Sequence, residues 1–142
     1  WATGVTCEIG IFFIMPWLMR YFSLKHILIF SFACATLRFL MIGYGVEWPI
    51  AIVLAQVLHA ATYGAHHIAA MMVIHQFFQG RHQAKGQAIY TGIAYGLGGA
   101  LGAVFSGYTW DWLGADVTFV ISAVAAFIGL ILIAWKMKAF NN

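Results

Sequence analysis

The 142-residue chain is 63% hydrophobic and only 8% charged, with a formal net charge of +3. Such a composition cannot cover a water-soluble surface with polar groups, and an excess this small calls for no nucleic-acid partner. The two cysteines, Cys7 and Cys34, both fall in apolar runs and offer neither a disulfide framework nor metal-ligand spacing.

Apart from Glu8 and Arg38, the charges sit in short breaks between apolar runs and are sorted by sign. Arg20 and Lys25 are followed by Glu47, then Arg81 and Lys85, then Asp111 and Asp116, then Lys136 and Lys138. Alternating basic and acidic breaks fit a chain that crosses a membrane repeatedly under the positive-inside bias. The fold class expected is all-α transmembrane, with five spans over residues 2–19, 27–44, 49–78, 87–108 and 117–135. Trp1, Trp17, Trp48, Trp110, Trp112 and Trp135 lie at or near span ends, where an aromatic belt places them. The N-terminus is then outside and the C-terminus cytoplasmic. A chain that opens on Trp1, almost inside a span, reads as the C-terminal portion of a longer one.

The first run carries Glu8, with Pro16 about one turn from its end, and the second carries Arg38. An ionisable group at such depth is a functional-site hypothesis by default. Arg38 is effectively always charged and needs an acceptor. Glu8 is the only carboxylate embedded in a span, so the two are expected to pair. A carboxylate able to change its charge near titratable imidazoles is the equipment of proton coupling.

The third run starts at Pro49, a residue suited to a helix N-terminus, and at about 30 residues must tilt or emerge from the bilayer. At ~100° per residue, Gln56, His59, Tyr63, His66 and His67 share an arc of roughly 100°, whereas His75 points away. A polar stripe on a membrane helix needs a polar cavity or polar partners beside it. Counted from the inner breaks, Glu8, Arg38, His66 and His67 all lie roughly 18–20 Å deep. They are thus expected in one layer.

The next break, from Gly80 to Gln87, reads as a basic cytoplasmic loop meeting lipid headgroups. In the fourth run, Gly92, Gly96, Gly98, Gly99 and Gly102 give small-xxx-small spacing, the pattern that lets helix backbones approach in lipid. The same run lacks the G-x-G-x-x-G spacing and the preceding strand of a dinucleotide loop. The fifth run, 117–135, is apolar throughout.

The motif Gln56-Val-Leu-His59-Ala-Ala-Thr-Tyr63-Gly-Ala-His66, then Gly86-Gln87-Ala-Ile-Tyr90 and the glycine run, resembles the C-terminal half of a major facilitator superfamily transporter. The resemblance covers essentially all 142 residues and is nearest to the group of 3-phenylpropionic acid transporters, lactose permeases and nucleoside/proton symporters. It implies helices eight to twelve of a twelve-helix protein in a bacterial inner membrane. It also implies a helix-eight carboxylate (Glu8) at the substrate, and a helix-nine arginine (Arg38) and helix-ten histidine in substrate binding and proton coupling. Two departures stand out: the third run has no Asp or Glu, and the first break lacks the superfamily's glycine-rich Asp-Arg signature. The function implied is proton-coupled symport of an aromatic acid, sugar or nucleoside, with neither catalytic residues nor a metal or other cofactor. Its partners are the solute, protons, lipid and the remaining half of the same chain. The alternatives are a haem-binding subunit of an electron-transfer complex, which needs His on facing helices, and a non-functional structural fragment.

Overall fold

The computed structural model describes residues 2–137; Trp1 and Lys138, both used above, lie outside the described residues. Five helices follow in order: α1 (Ala2–Tyr21), α2 (Leu24–Gly45), α3 (Pro49–Phe77), α4 (Gly80–Leu113) and α5 (Ala115–Lys136). All five are long and apolar enough to cross a membrane. The described residues contain no strand.

The helices run past the apolar runs that signal them. Residues Leu24 to His26 already belong to α2, and α4 begins at Gly80, so the expected basic loop is instead the first turns of a helix. Asp111 and Trp112 likewise stay helical. Hydropathy marks where the apolar layer ends, whereas a backbone satisfies its own hydrogen bonds by staying helical into the interface. The true breaks are two or three residues each, and a single one before α5. Gly114 fills that last break with φ +87, and Gly80 opens α4 with φ +59; both values favour glycine.

α1 and α2 both lean on α3, and α2 packs its far side on α5. Met15 of α1, Leu24, Ile27 and Leu28 of α2, and Ala65 and Ala69 of α3 form the buried core, at the end carrying Arg20 and Lys25. Helices associate in lipid by close packing and hydrogen bonds rather than by escape from water, so small residues decide where they meet. Ala60, Ala61, Gly64, Ala65 and Ala69 are the buried residues of mid-α3. On the α2–α5 face, Gly129 leaves room for the Phe32 ring, and a Cβ on Gly43 would come within 3.1 Å of Phe119 Cβ. Lys25 Nζ donates to the Ala134 carbonyl at 2.8 Å, tying α2 to the C-terminal turn of α5, where a cation is favoured.

α4 stands apart. Its backbone approaches α3 at the end of that helix, Tyr95 reaches further along it, and the C-terminal part packs on α5, where the Thr118 hydroxyl donates to Thr109 Oγ1 at 3.1 Å. The glycines read above as a packing face meet no other helix of the described chain. A Cβ on Gly92, Gly99 or Gly102 would find open space, and on Gly96 or Gly98 only carbonyls of α4 itself.

Candidate functional site

Glu8 reaches α3 because α1 and α3 approach over glycine. A Cβ on Gly4 would lie 3.0 Å from Gln56 Oε1 and 3.2 Å from His59 Cδ2, and one on Gly64 would lie 3.0 Å from Ile11 Cγ2. Between these contacts Glu8 Oε1 meets His59 Nε2 at 2.8 Å, with the two side chains 17% and 25% exposed. This corrects the expected Glu8–Arg38 pair. Because α1 packs on α3, its carboxylate finds the imidazole, and among the described residues Arg38 has no ion-pair partner.

The depth count needs the same correction. His59, rather than His66 or His67, is level with Glu8. The contacts Gly4–Gln56, Glu8–His59 and Ile11–Gly64 fix a parallel register in which α3 outruns α1 at the basic end. Counting back from that end therefore placed His66 and His67 too far from it.

Arg38 lines a cavity of about 480 Å³ between α2, α3 and α5, together with Phe32, Phe39, His59, Tyr63 and Ser122. Its guanidinium carbon is 5.8 Å from the centre of the Phe39 ring, a weak cation–π contact. Arg38 Nε and His59 Nδ1 are buried without a hydrogen-bond partner among the described residues. Leaving such groups unsatisfied costs about 1–3 kcal/mol each, more for charged ones. The layer therefore holds hydrogen-bonding capacity that the described residues do not use.

The stripe on α3 divides in two. Residues Ala60–Ala65 form a π-helical turn, a distortion frequent at functional sites. In an α-helix, positions four apart drift by about 40°; the wider turn takes up that drift. His59 and Tyr63 stack at 5.7 Å and 14°, and Tyr63 and His67 at 6.3 Å and 10°, giving one straight row. His66 leaves the row. It meets the edge of Phe32 at 5.3 Å and lines, with Ser31, a pocket of about 100 Å³ that shares Phe32, Ala35 and Thr62 with the cavity at Arg38. Gln56 remains beside Gly4. His75 stays apart, 2.7 Å from Gln87 Nε2.

Tyr95 was missed by sequence reasoning. It sits in a second π-helical turn, Thr91–Leu97 of α4, and its hydroxyl is 3.1 Å from His67 Nδ1. It also stands edge-on to Tyr63 at 6.4 Å and to Tyr90 at 5.8 Å. The five-residue spacing of Tyr90 and Tyr95 suits a π-helical turn and was the available signal. Phe32, Phe39 and Ser122 were also unmarked, being ordinary residues in apolar runs. No group of three or more His, Cys, Asp or Glu able to hold a metal occurs among the described residues.

Five apolar helices, four of which surround an ion pair and a guanidinium without an ion-pair partner among the described residues, define a polytopic membrane protein with a polar interior layer. The model of the MFS_1 like family matches residues 1–121, and the chain belongs to that family, within the major facilitator superfamily. It is 34% identical over 125 residues to the "Probable 3-phenylpropionic acid transporter" of Escherichia coli (strain K12), covering 88% of this chain and 32% of that protein. It is 22% identical over 134 residues to the "Xanthosine permease" of the same organism, covering 87% of this chain and 32% of the relative. The chain thus spans about 32% of the length of the curated relatives it matches. No solved structure matches it.

Proposed function

We propose that these helices form the eighth to twelfth of a twelve-helix secondary transporter, which moves a small organic anion with protons by alternating access in a bacterial inner membrane. The start of α1 faces outside and the end of α5 the cytoplasm. The carrying observation is the unequal treatment of two embedded charges: Glu8 is paired with His59, while Arg38 is unpaired beside a cavity of about 480 Å³.

An incoming carboxylate supplies the anion that Arg38 lacks, and Phe32, Phe39 and Tyr63 offer faces to an apolar or aromatic body. The name of the first relative, a 3-phenylpropionic acid transporter, supports an aromatic acid, and that of the second keeps a nucleoside as the competing solute. The proton of the cycle is the one shared by Glu8 and His59. Once the substrate leaves, Glu8 is the embedded carboxylate that can replace it at Arg38. Its departure from His59 frees the proton, so solute and proton leave together.

Uptake of radiolabelled 3-phenylpropionate into cells expressing the full-length protein tests this reading. Arg38→Gln should abolish accumulation and Arg38→Lys should retain part of it, because lysine keeps the charge but not the guanidinium fork. Unchanged accumulation in Arg38→Gln would remove the anion site. Wild-type transport of a nucleoside but not of the acid would replace the solute.

A further inference from the structure

On the face of α3 away from Arg38, α1 and α2 lean on α3 and leave an apolar groove of about 350 Å³ between them. Ile11 and Leu18 form one wall, Ile27 and Phe30 the other, and Ala61 and Ala65 the floor. It shares no lining residue with the cavity at Arg38. From Ile11 to Leu18 the wall runs seven residues, about 10 Å along α1, and the slot continues past the end of that helix to Phe22 and His26.

Among the described residues its single polar lining residue is His26, at the end where α1 passes into α2. The Ser23 hydroxyl lies 2.8 Å from His26 Nδ1, which fixes the ring and leaves Nε2 for a second partner. Arg20 is exposed in the last turn of α1 at the same end. The neighbouring Lys25 is committed to the Ala134 carbonyl. The connection itself carries no acidic side chain.

We propose that this groove holds one acyl chain of an anionic phospholipid, with the headgroup phosphate resting on Arg20 and His26. An unfilled apolar slot would forfeit the dispersion contacts of its walls, and a lipid tail is the apolar rod that the surrounding solvent supplies. Basic residues at the mouth select a negative headgroup over a zwitterionic one by charge. The site rests on the membrane setting alone and is independent of what the transporter carries.

Photoreactive phosphatidylglycerol and phosphatidylcholine, each with a diazirine near the acyl end, test the site on the full-length protein reconstituted in vesicles. The phosphatidylglycerol probe should label peptides containing Ile11, Leu18 or Phe30 above those of α4, and unlabelled phosphatidylglycerol should compete. The double variant Arg20→Gln with His26→Gln should lower this labelling about tenfold without changing the helical circular dichroism. Ala61→Leu, which fills the floor, should abolish it; if that variant misfolds, the double variant decides. Equal labelling of α4, equal competition by phosphatidylcholine, or groove peptides that stay unlabelled because another helix covers them would each overturn the proposal.

Discussion

Helices α3 and α4 carry the same local device in opposite surroundings. Each is interrupted midway by a π-helical turn, Ala60–Ala65 in one and Thr91–Leu97 in the other. Yet 33% of the most apolar stretch of α3 is buried, and none of that of α4. In α3 the turn is held on two sides, by α1 and α2, and its rigid surroundings give His59, Tyr63 and His67 fixed places. In α4 the turn reaches the other helices through Tyr95. A backbone distortion makes a site only where neighbours fix it. The comparison thus separates a turn held by its neighbours from one that meets them, among the described residues, through one side chain.

The largest expected effect is on the held side. Glu8→Gln removes the partner of His59, and coupled accumulation of substrate should be lost, while exchange of solute across the membrane survives. Breaking a buried ion pair by removing one partner costs about 3–5 kcal/mol; at 17% and 25% exposure the loss here should be smaller. Proton-coupled uptake at the wild-type level in Glu8→Gln would remove this pair from the mechanism.

The next effect separates the two sets of glycines. Gly64→Leu drives a side chain into Ile11 and the Glu8 stem, and overpacking of this kind costs about 1–3 kcal/mol. Gly99→Leu meets open space among the described residues and should leave the Glu8–His59 contact intact. Thermal unfolding of the two variants, with infrared spectra of the carboxylate, distinguishes them. A large loss of stability in Gly99→Leu would show that the α4 face packs on helices outside the described residues. That is the role its small-xxx-small spacing suggests.

Much of this was legible before the structure. Charge order and apolar run length give five helices because both report directly on the apolar layer, and Glu8, Arg38 and the α3 stripe stand out by the cost of burying them. Less legible was which polar groups meet. The Glu8–Arg38 expectation rested on charge complementarity, but contact depends on which helices approach. That follows from Ala60, Ala61, Gly64, Ala65 and Ala69 on α3, whose four-residue spacing was in plain view while the denser glycines of α4 drew the eye. His66 falls out of the stacked row for another reason. A periodicity of 3.6 assumes an unbroken α-helix, and no single residue in Ala60–Ala65 announces a wider turn.

The smallest effect probes the tie between the two regions. Tyr95→Phe removes one hydroxyl and keeps the ring, so the edge-on contacts with Tyr63 and Tyr90 persist while the 3.1 Å bond to His67 is lost. A hydrogen bond of this kind contributes about 0.5–1.5 kcal/mol net, so unfolding should shift only slightly. Transport offers the sharper readout. If the bond holds α4 against α3 in one state of the cycle, Tyr95→Phe should change the rate of uptake more than the affinity for solute. His67→Gln, which can still meet the tyrosine hydroxyl, should be milder than His67→Ala. A double-mutant cycle between Tyr95→Phe and His67→Ala should give a coupling of about 0.5 kcal/mol or more, since the pair shares one bond. Strict additivity would mean that Tyr95 acts through its ring alone. α4 would then be tied to α3 by aromatic contact, which tolerates sliding, and not by a bond that must break at each turnover.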